Sequence, residues 1–179
     1  MKKFQDWARQ EYSPRQRLIT LGLAGILFIL ILPFLLVVCS SAIDHWLNLP
    51  RFSAGEINPI IGLLLAFGGI SLGLWSIQAQ MTIGNGTPVP IMPTQKLVVK
   101  APFAFCRNPM TLGTFIAYAG ISVWIGSISA MAIVVILTII LLLYIKYIEE
   151  KELEARFGLE YLEYKQRTPF ILPFLRRHS

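Results

Sequence analysis

The sequence predicts an all-α, polytopic integral membrane protein with about four transmembrane helices, the last two closed into a C-terminal helical hairpin. Three observations predict it: the chain holds three long uncharged apolar runs, the third is about twice the length a bilayer requires, and the basic residues fall almost entirely on one side of the resulting path. With 55% hydrophobic and only 15% charged residues, the chain is also far more apolar than a soluble domain of its size needs to be.

The first run, 18–39, has twenty-two residues without a charge, and the second, 57–81, has twenty-five. At about 1.5 Å per residue, each crosses a hydrocarbon core of about 30 Å. The first is longer than the roughly 7 to 15 apolar residues of a secretory signal, and no small-x-small site follows it, so it is expected to remain as a membrane helix. The third run, 111–145, has thirty-five residues, about 52 Å as a single helix. Its middle reads "WIGSIS", Trp124 to Ser129, a turn-prone stretch in which Gly126 allows the chain to reverse. Two short helices in a tight hairpin are therefore expected, which brings the crossings to four.

Charge placement tests that count. With four crossings and the N-terminus inside, Lys2, Lys3, Arg9, Arg15 and Arg17 lie on the inner side, as do Lys96, Lys100 and Arg107 in the middle loop. The C-terminal segment adds Lys146, Lys151, Arg156, Lys165, Arg167, Arg176 and Arg177, so that all of the 16 basic residues except Arg51 share one side. Both termini are then cytoplasmic, and the inner (plasma) membrane is the expected location. The net charge of +6 reads as this topology signal together with attraction to anionic lipid, and no nucleic-acid motif accompanies it.

Ahead of the first run, "FQDWARQEY" places Phe4, Trp7, Ala8 and Tyr12 near helical spacing, as in a short interfacial helix ending before Pro14. This helix and the first two spans form an N-terminal region, 1–81; the middle loop, the hairpin and the C-terminal segment form a second, 82–179. Cys39 and Cys106 fall on opposite sides of the membrane and read as packing residues, and His45 and His178 stand without a second ligand, so no metal is expected.

Polar residues concentrate in two places on the inner side. One is the loop 82–110, "TIGNGTPVPIMPTQKLVVKAPFAFCRNPM", whose five prolines impose an irregular, extended path. The other follows Ile145, where Lys146, Glu149, Glu150 and Leu153 have helical spacing, so the last membrane helix should continue to about Arg156 and stop at Gly158. Glu149 lies one turn from Lys146, within reach for a surface ion pair. Adjacent carboxylates at a membrane exit are costly without a cationic partner, which marks the pair for function. Arg107 and Pro109 have plainer readings as an inner-side anchor and a helix opener, and Tyr161 and Tyr164 read as interfacial belt residues first.

The order of these elements resembles the isoprenylcysteine carboxyl methyltransferase family and its bacterial, phospholipid methyltransferase-like relatives. The residues that carry the resemblance are Leu97-Val98, Ala101-Pro102-Phe103, Arg107-Asn108-Pro109-Met110, the hairpin, Glu149-Glu150, Leu153, Phe157-Gly158, Tyr161, Tyr164 and Pro173. It covers about residues 84 to 175. Here "APFAFC" stands where relatives have "GPYRYV", and "RNPMT" lacks the histidine and tyrosine of "RHPxY".

The resemblance implies a membrane-embedded enzyme that uses S-adenosylmethionine to methylate a lipid-borne or hydrophobic acceptor, with a carboxylate among the possible acceptors, in a cofactor pocket on the cytoplasmic side. By motif, Gln95, Lys96, Leu97, Val98, Phe103, Asn108, Pro109, Met110, Thr111 and Glu149 would hold the cofactor. Arg107 and Glu150 are the expected catalytic residues. The arginine with which relatives hold a substrate carboxylate is missing, and Lys146 and Arg167 are the expected acceptor contacts in its place.

The chemistry of the residues agrees. A sulfonium ligand with an amino group, a ribose diol and a carboxylate needs carboxylates for its cationic and hydroxyl parts, which Glu149 and Glu150 supply. Its own carboxylate needs donors, which Arg107, Asn108 and loop N–H groups supply. The leaving group is a neutral thioether that needs no general acid, so alignment and exclusion of water suffice, and no Ser-His-Asp or Cys-His set is required. Two other classes fit less well: a nicotinamide-dependent membrane reductase of sterol-reductase-like architecture, which would call for a denser cationic cluster, and a non-enzymatic lipid-binding membrane protein.

Overall fold

The structure, a computed structural model, describes residues 13–52, 55, 57–87 and 94–172, with nothing taken from the side chain of Pro14. The interfacial helix expected over residues 4–12, Pro173 and the basic residues beyond it lie outside the described residues. Among those described, every regular element is helical: α1 (Pro14–Gly25), π1 (Ile26–Ile31), α2 (Leu32–Trp46), α3 (Ile57–Thr82), α4 (Pro109–Ile125), α5 (Ile128–Tyr144), π2 (Ile145–Glu149), α6 (Glu150–Phe157) and α7 (Leu159–Arg167).

Three continuous helices, Arg15–Trp46, Ile57–Thr82 and Ile128–Phe157, are long and apolar enough to cross a membrane, and α4 is a shorter apolar helix. The chain is a multi-pass membrane protein. The expected hairpin is present: α4 ends at Ile125, Gly126 turns with φ +65°, and α5 starts at Ile128. The first charge after the hairpin is Lys146, in the first turn of π2, so the uncharged part of the last helix ends at Ile145 and the charged residues of π2, α6 and α7 follow it.

By packing, the chain forms two compact units. The apolar unit comprises Gly25–Gly73 and Thr111–Leu143; the polar unit comprises Leu74–Met110 and the described residues of the segments before Gly25 and after Leu143.

In the apolar unit, the first span widens into π1 because Pro33 lies just after it. A proline has no N–H and its ring collides with the carbonyl four residues back, and one wide turn relieves that collision. Leu32 N–H already donates five residues back, to Leu27 O. The next such bond would run from position 33 to Phe28 O, and proline cannot make it. Tyr118 on α4 donates its hydroxyl to Phe28 O instead, at 2.7 Å, which satisfies a carbonyl that lipid could not.

Helices α3 and α4 meet backbone to backbone. A Cβ built on Gly62 would lie 2.7 Å from Gly120 O, and one on Gly120 would lie 2.6 Å from Ala66 N. Gly69 against Ala117 and Gly113 is tighter still. Small residues two turns apart on each helix allow this approach, the usual way helices associate where lipid leaves no hydrophobic driving force between them.

The hairpin turn is held from a distance. Asp44 at the end of α2 accepts from Ser127 Oγ at 2.5 Å and from Ser129 N–H at 3.2 Å, which caps the first turn of α5. Phe52 N–H donates to Gly126 O at 3.1 Å, and Asn58 Nδ2 donates to Phe52 O at 2.9 Å.

Candidate functional site

The polar unit is built around Ala79, Val98, Phe103, Tyr161 and Tyr164, which are all buried against one another. Ala79 comes from the last turn of α3, Val98 and Phe103 from the middle loop, and the two tyrosines from α7. Tyr164 donates its hydroxyl to Phe103 O at 2.7 Å and so ties α7 to the loop. Burial raises the phenols of Tyr161 and Tyr164 well above the usual range, so both stay neutral.

Beside this cluster is a cavity of about 160 Å³. Its apolar wall is Leu97, Val98, Phe103 and Leu153, and its polar wall includes Gln80, Arg107, Asn108, Glu149, Glu150 and Arg156.

The adjacent glutamates reach this wall through π2. Glu150 N–H donates five residues back, to Ile145 O, so the helix gains an extra residue in the turn where a regular α-helix would have kept Glu149 over Lys146. Among the described residues Glu149 makes no ion pair with Lys146, whose ammonium lies 5.8 Å from the ring of Tyr147 instead. The expected surface pair is therefore replaced by a carboxylate on the cavity wall. Burial pushes the Glu149 carboxyl above the ordinary carboxylate range; Glu152 and Glu150 add to the shift, and Arg156 opposes it.

Glu150 is nearly closed to solvent and faces two cations, Arg107 Nη1 at 3.1 Å and Lys165 Nζ at 2.8 Å; Lys165 also reaches Glu154 at 2.7 Å. The Arg107 contact is an ion pair without hydrogen-bond alignment, so Arg107 Nε, Arg107 Nη1 and Glu150 Oε1 lack a hydrogen-bond partner among the described residues. Arg107 itself is fixed from behind. Its backbone N–H donates to Pro169 O at 2.9 Å and its guanidinium lies 5.4 Å from the ring of Phe170, while Asn108 Nδ2 donates to Phe170 O at 2.9 Å. Across the cavity Arg156 pairs with Glu152 at 3.4 Å, lies over Phe157 and donates to Thr94 O, which joins α6 to the loop.

Of the residues singled out by sequence, Leu97, Val98, Phe103, Arg107, Asn108, Glu149 and Glu150 are brought together on the cavity wall. Gln95 and Lys96 are not on it; their N–H groups donate to Gly84 O at 2.6 and 3.1 Å and pinch the loop closed. Pro109, Met110 and Thr111 form the start of α4 and are likewise off the wall, as are Lys146 and Arg167, both exposed. Among the described residues Arg167 makes a 3.9 Å contact with Glu163, one turn back.

Sequence reasoning missed Gln80, Arg156 and Lys165, and it ranked Tyr161 and Tyr164 as belt residues although both are buried here. The tyrosines had a signal in their three-residue spacing, which puts both on one face of α7. Arg156 and Lys165 had none, because a charged helical segment reads as solvated until its partners are known.

A family model described as phospholipid methyltransferase matches residues 57–160. The chain belongs to this family. The match runs from the start of α3 into α7 and takes in the loop, the hairpin and both cavity glutamates. No curated protein and no solved structure matches the chain. Family membership makes this membrane protein a methyltransferase.

Proposed function

We propose that this methyltransferase takes its methyl group from S-adenosylmethionine bound in the polar-unit cavity and passes it to a lipid-borne or hydrophobic acceptor that enters from the bilayer. The observation that carries the reading is Glu149, a partly buried carboxylate on the cavity wall that has no ion-pair partner among the described residues. A carboxylate desolvated in this way favours a cationic ligand, and a sulfonium with an amino group is one.

The rest of the donor set fits the same ligand. Arg107 has two nitrogens, Nε and Nη1, without hydrogen-bond partners among the described residues, which suit a ligand carboxylate, and Leu97, Val98 and Phe103 supply apolar surface for a base. When bound, the cofactor supplies an activated methyl group and leaves as a neutral thioether. The chain's own contribution is to bind, align and exclude water: Glu150 holds Arg107 in place, and Arg156 keeps the loop on α6. Such positioning can contribute about 7 to 11 kcal/mol.

Charge narrows the acceptor. Arg107 and Arg156 already face Glu150 and Glu152, and Lys146 and Arg167 lie off the wall. With the open N–H groups of Arg107 committed to the cofactor carboxylate, a carboxylate acceptor would meet no unpaired cation on the wall among the described residues, so a neutral or cationic nucleophile on a lipid fits better. Among the described residues the same pairing leaves no unpaired cationic cluster on the cavity wall for a dinucleotide pyrophosphate. The inner-side bias of the basic residues supports a cytoplasmic cavity and cytoplasmic termini in an inner membrane.

Calorimetry on the detergent-solubilised protein tests the reading. Binding of S-adenosylmethionine and not of a nicotinamide dinucleotide is expected, and the reverse would overturn the proposal. Glu149→Gln should weaken S-adenosylmethionine binding about ten- to a hundredfold, since a hydrogen bond to a charged group is worth about 1.5 to 3 kcal/mol. Thermal stability without ligand should change little; unchanged affinity would make the glutamate scaffold only.

A further inference from the structure

The last turn of α3 carries a polar group that the proposed contacts leave unused. Gln80 lines the cavity, and its side-chain carbonyl oxygen is fully buried with no hydrogen-bond partner among the described residues. Buried acceptors are nearly always paired, so an orphan on a cavity wall points to a ligand that completes it.

The backbone around Gln80 is well held. Its own carbonyl accepts from Gly86 N–H, and a Cβ on Gly84 would lie 2.7 Å from that carbonyl and 2.8 Å from Thr94 Cγ2. The neighbouring Ala79 is packed in the cluster with Val98 and Phe103.

We infer that Gln80 is a specificity-determining residue of the cavity whose side-chain carbonyl accepts a hydrogen bond from an N–H group of the bound ligand. This rests on the reading of the cavity as the methyl-transfer site. Two ligands could bring that N–H: the exocyclic amine of the cofactor's base, or an amine on the acceptor. A carbonyl oxygen cannot pair with a ring oxo group or with a fully substituted ammonium, so Gln80 would discriminate against both.

The test uses the full chain in detergent and direct binding calorimetry. The probes are S-adenosylhomocysteine and its 6-oxo counterpart S-inosylhomocysteine, and a short-chain phosphatidylethanolamine and its phosphocholine counterpart. The wild type should prefer one pair's amine-bearing member, the 6-amino purine with its exocyclic donor or the ethanolamine lipid with its ammonium N–H, by about three- to tenfold, the worth of one hydrogen bond. Gln80→Met, which keeps the length and loses the acceptor, should abolish that preference and leave the other pair unchanged.

Loss confined to the nucleoside pair assigns the N–H to the base, and loss confined to the lipid pair assigns it to the acceptor. Gln80→Glu keeps an acceptor oxygen and should keep the preference, so a folded variant remains available if Gln80→Met does not fold. Equal binding of both members by the wild type, a preference that survives in Gln80→Met, or a preference lost in Gln80→Glu would overturn the inference. A wild type that binds none of the four probes would instead overturn the cavity reading, and this inference with it.

Discussion

The two packing units are built on opposite principles. In the apolar unit the most buried residues are small, with Ser40, Ser122 and Ala130 at 0% exposure, while large side chains such as Leu30, Phe34, Leu64 and Phe67 lie outside. In the polar unit the buried residues include Phe103, Tyr161, Tyr164 and the carboxylate of Glu150. Lipid removes the reason to hide leucine, so the apolar unit holds together by close backbone contact and a few hydrogen bonds. In the polar unit, where charged residues are frequent, burial of aromatic side chains shelters paired charges instead.

If this contrast is right, the largest single loss should come from unbalancing the polar unit. Glu150→Leu leaves Arg107 without its buried partner and should cost about 3 to 5 kcal/mol, read as thermal unfolding in detergent. Adding Arg107→Met should recover most of that stability while methyl transfer stays lost. A Glu150→Leu protein as stable as the wild type would mean that the pair is solvated.

In the apolar unit the strongest test is the remote cap of the hairpin. Asp44→Ala removes acceptors for Ser127 and Ser129 and should cost about 1.5 to 3 kcal/mol if the carboxylate is charged. Asp44→Asn should lose less, and equal losses would show that the charge is irrelevant.

Two adjacent glycines separate packing from composition. Gly69→Ala pushes a methyl into the backbone of α4 and should cost about 1 to 3 kcal/mol. Gly68→Ala meets nothing within 4 Å and should gain up to about 1 kcal/mol from helix propensity. Equal effects would remove the glycine seam from the account.

The smallest effect is one of pH. Burial holds the Glu149 carboxyl above its ordinary value, so the folded protein keeps this proton more tightly than the unfolded chain does. Ligand-free stability should therefore fall as pH rises through the interval between the two values, and affinity for a cationic ligand should rise over the same interval. Glu149→Gln should flatten both slopes; parallel slopes in the two proteins would contradict a desolvated carboxylate.

The apolar unit was largely legible from sequence. Runs of uncharged residues, their lengths against a bilayer and the break at Gly126 follow from local composition, and the structure has the expected hairpin. The tertiary bonds that stabilise that unit were not legible: Asp44 lies 83 residues from Ser127, and Tyr118 lies 90 from Phe28. The π-turn ahead of Pro33 had a local cause, but the group that satisfies its freed carbonyl comes from another helix.

In the candidate site the balance shifts. The sequence by itself determined an all-helical membrane protein and its hairpin, and it marked Arg107, Glu149 and Glu150 as candidates, because hydropathy and motif order are properties of the chain. Only the tertiary structure decided which of those residues share a wall. The extra residue in π2 moved Glu149 from Lys146 to the cavity, the segment 168–172 took the side chain of Asn108, and the packing of α7 brought Tyr161, Tyr164 and Lys165 inward. Each outcome depends on which groups remain unpaired after the helices meet, and that is a property of distance in space, not of spacing along the chain.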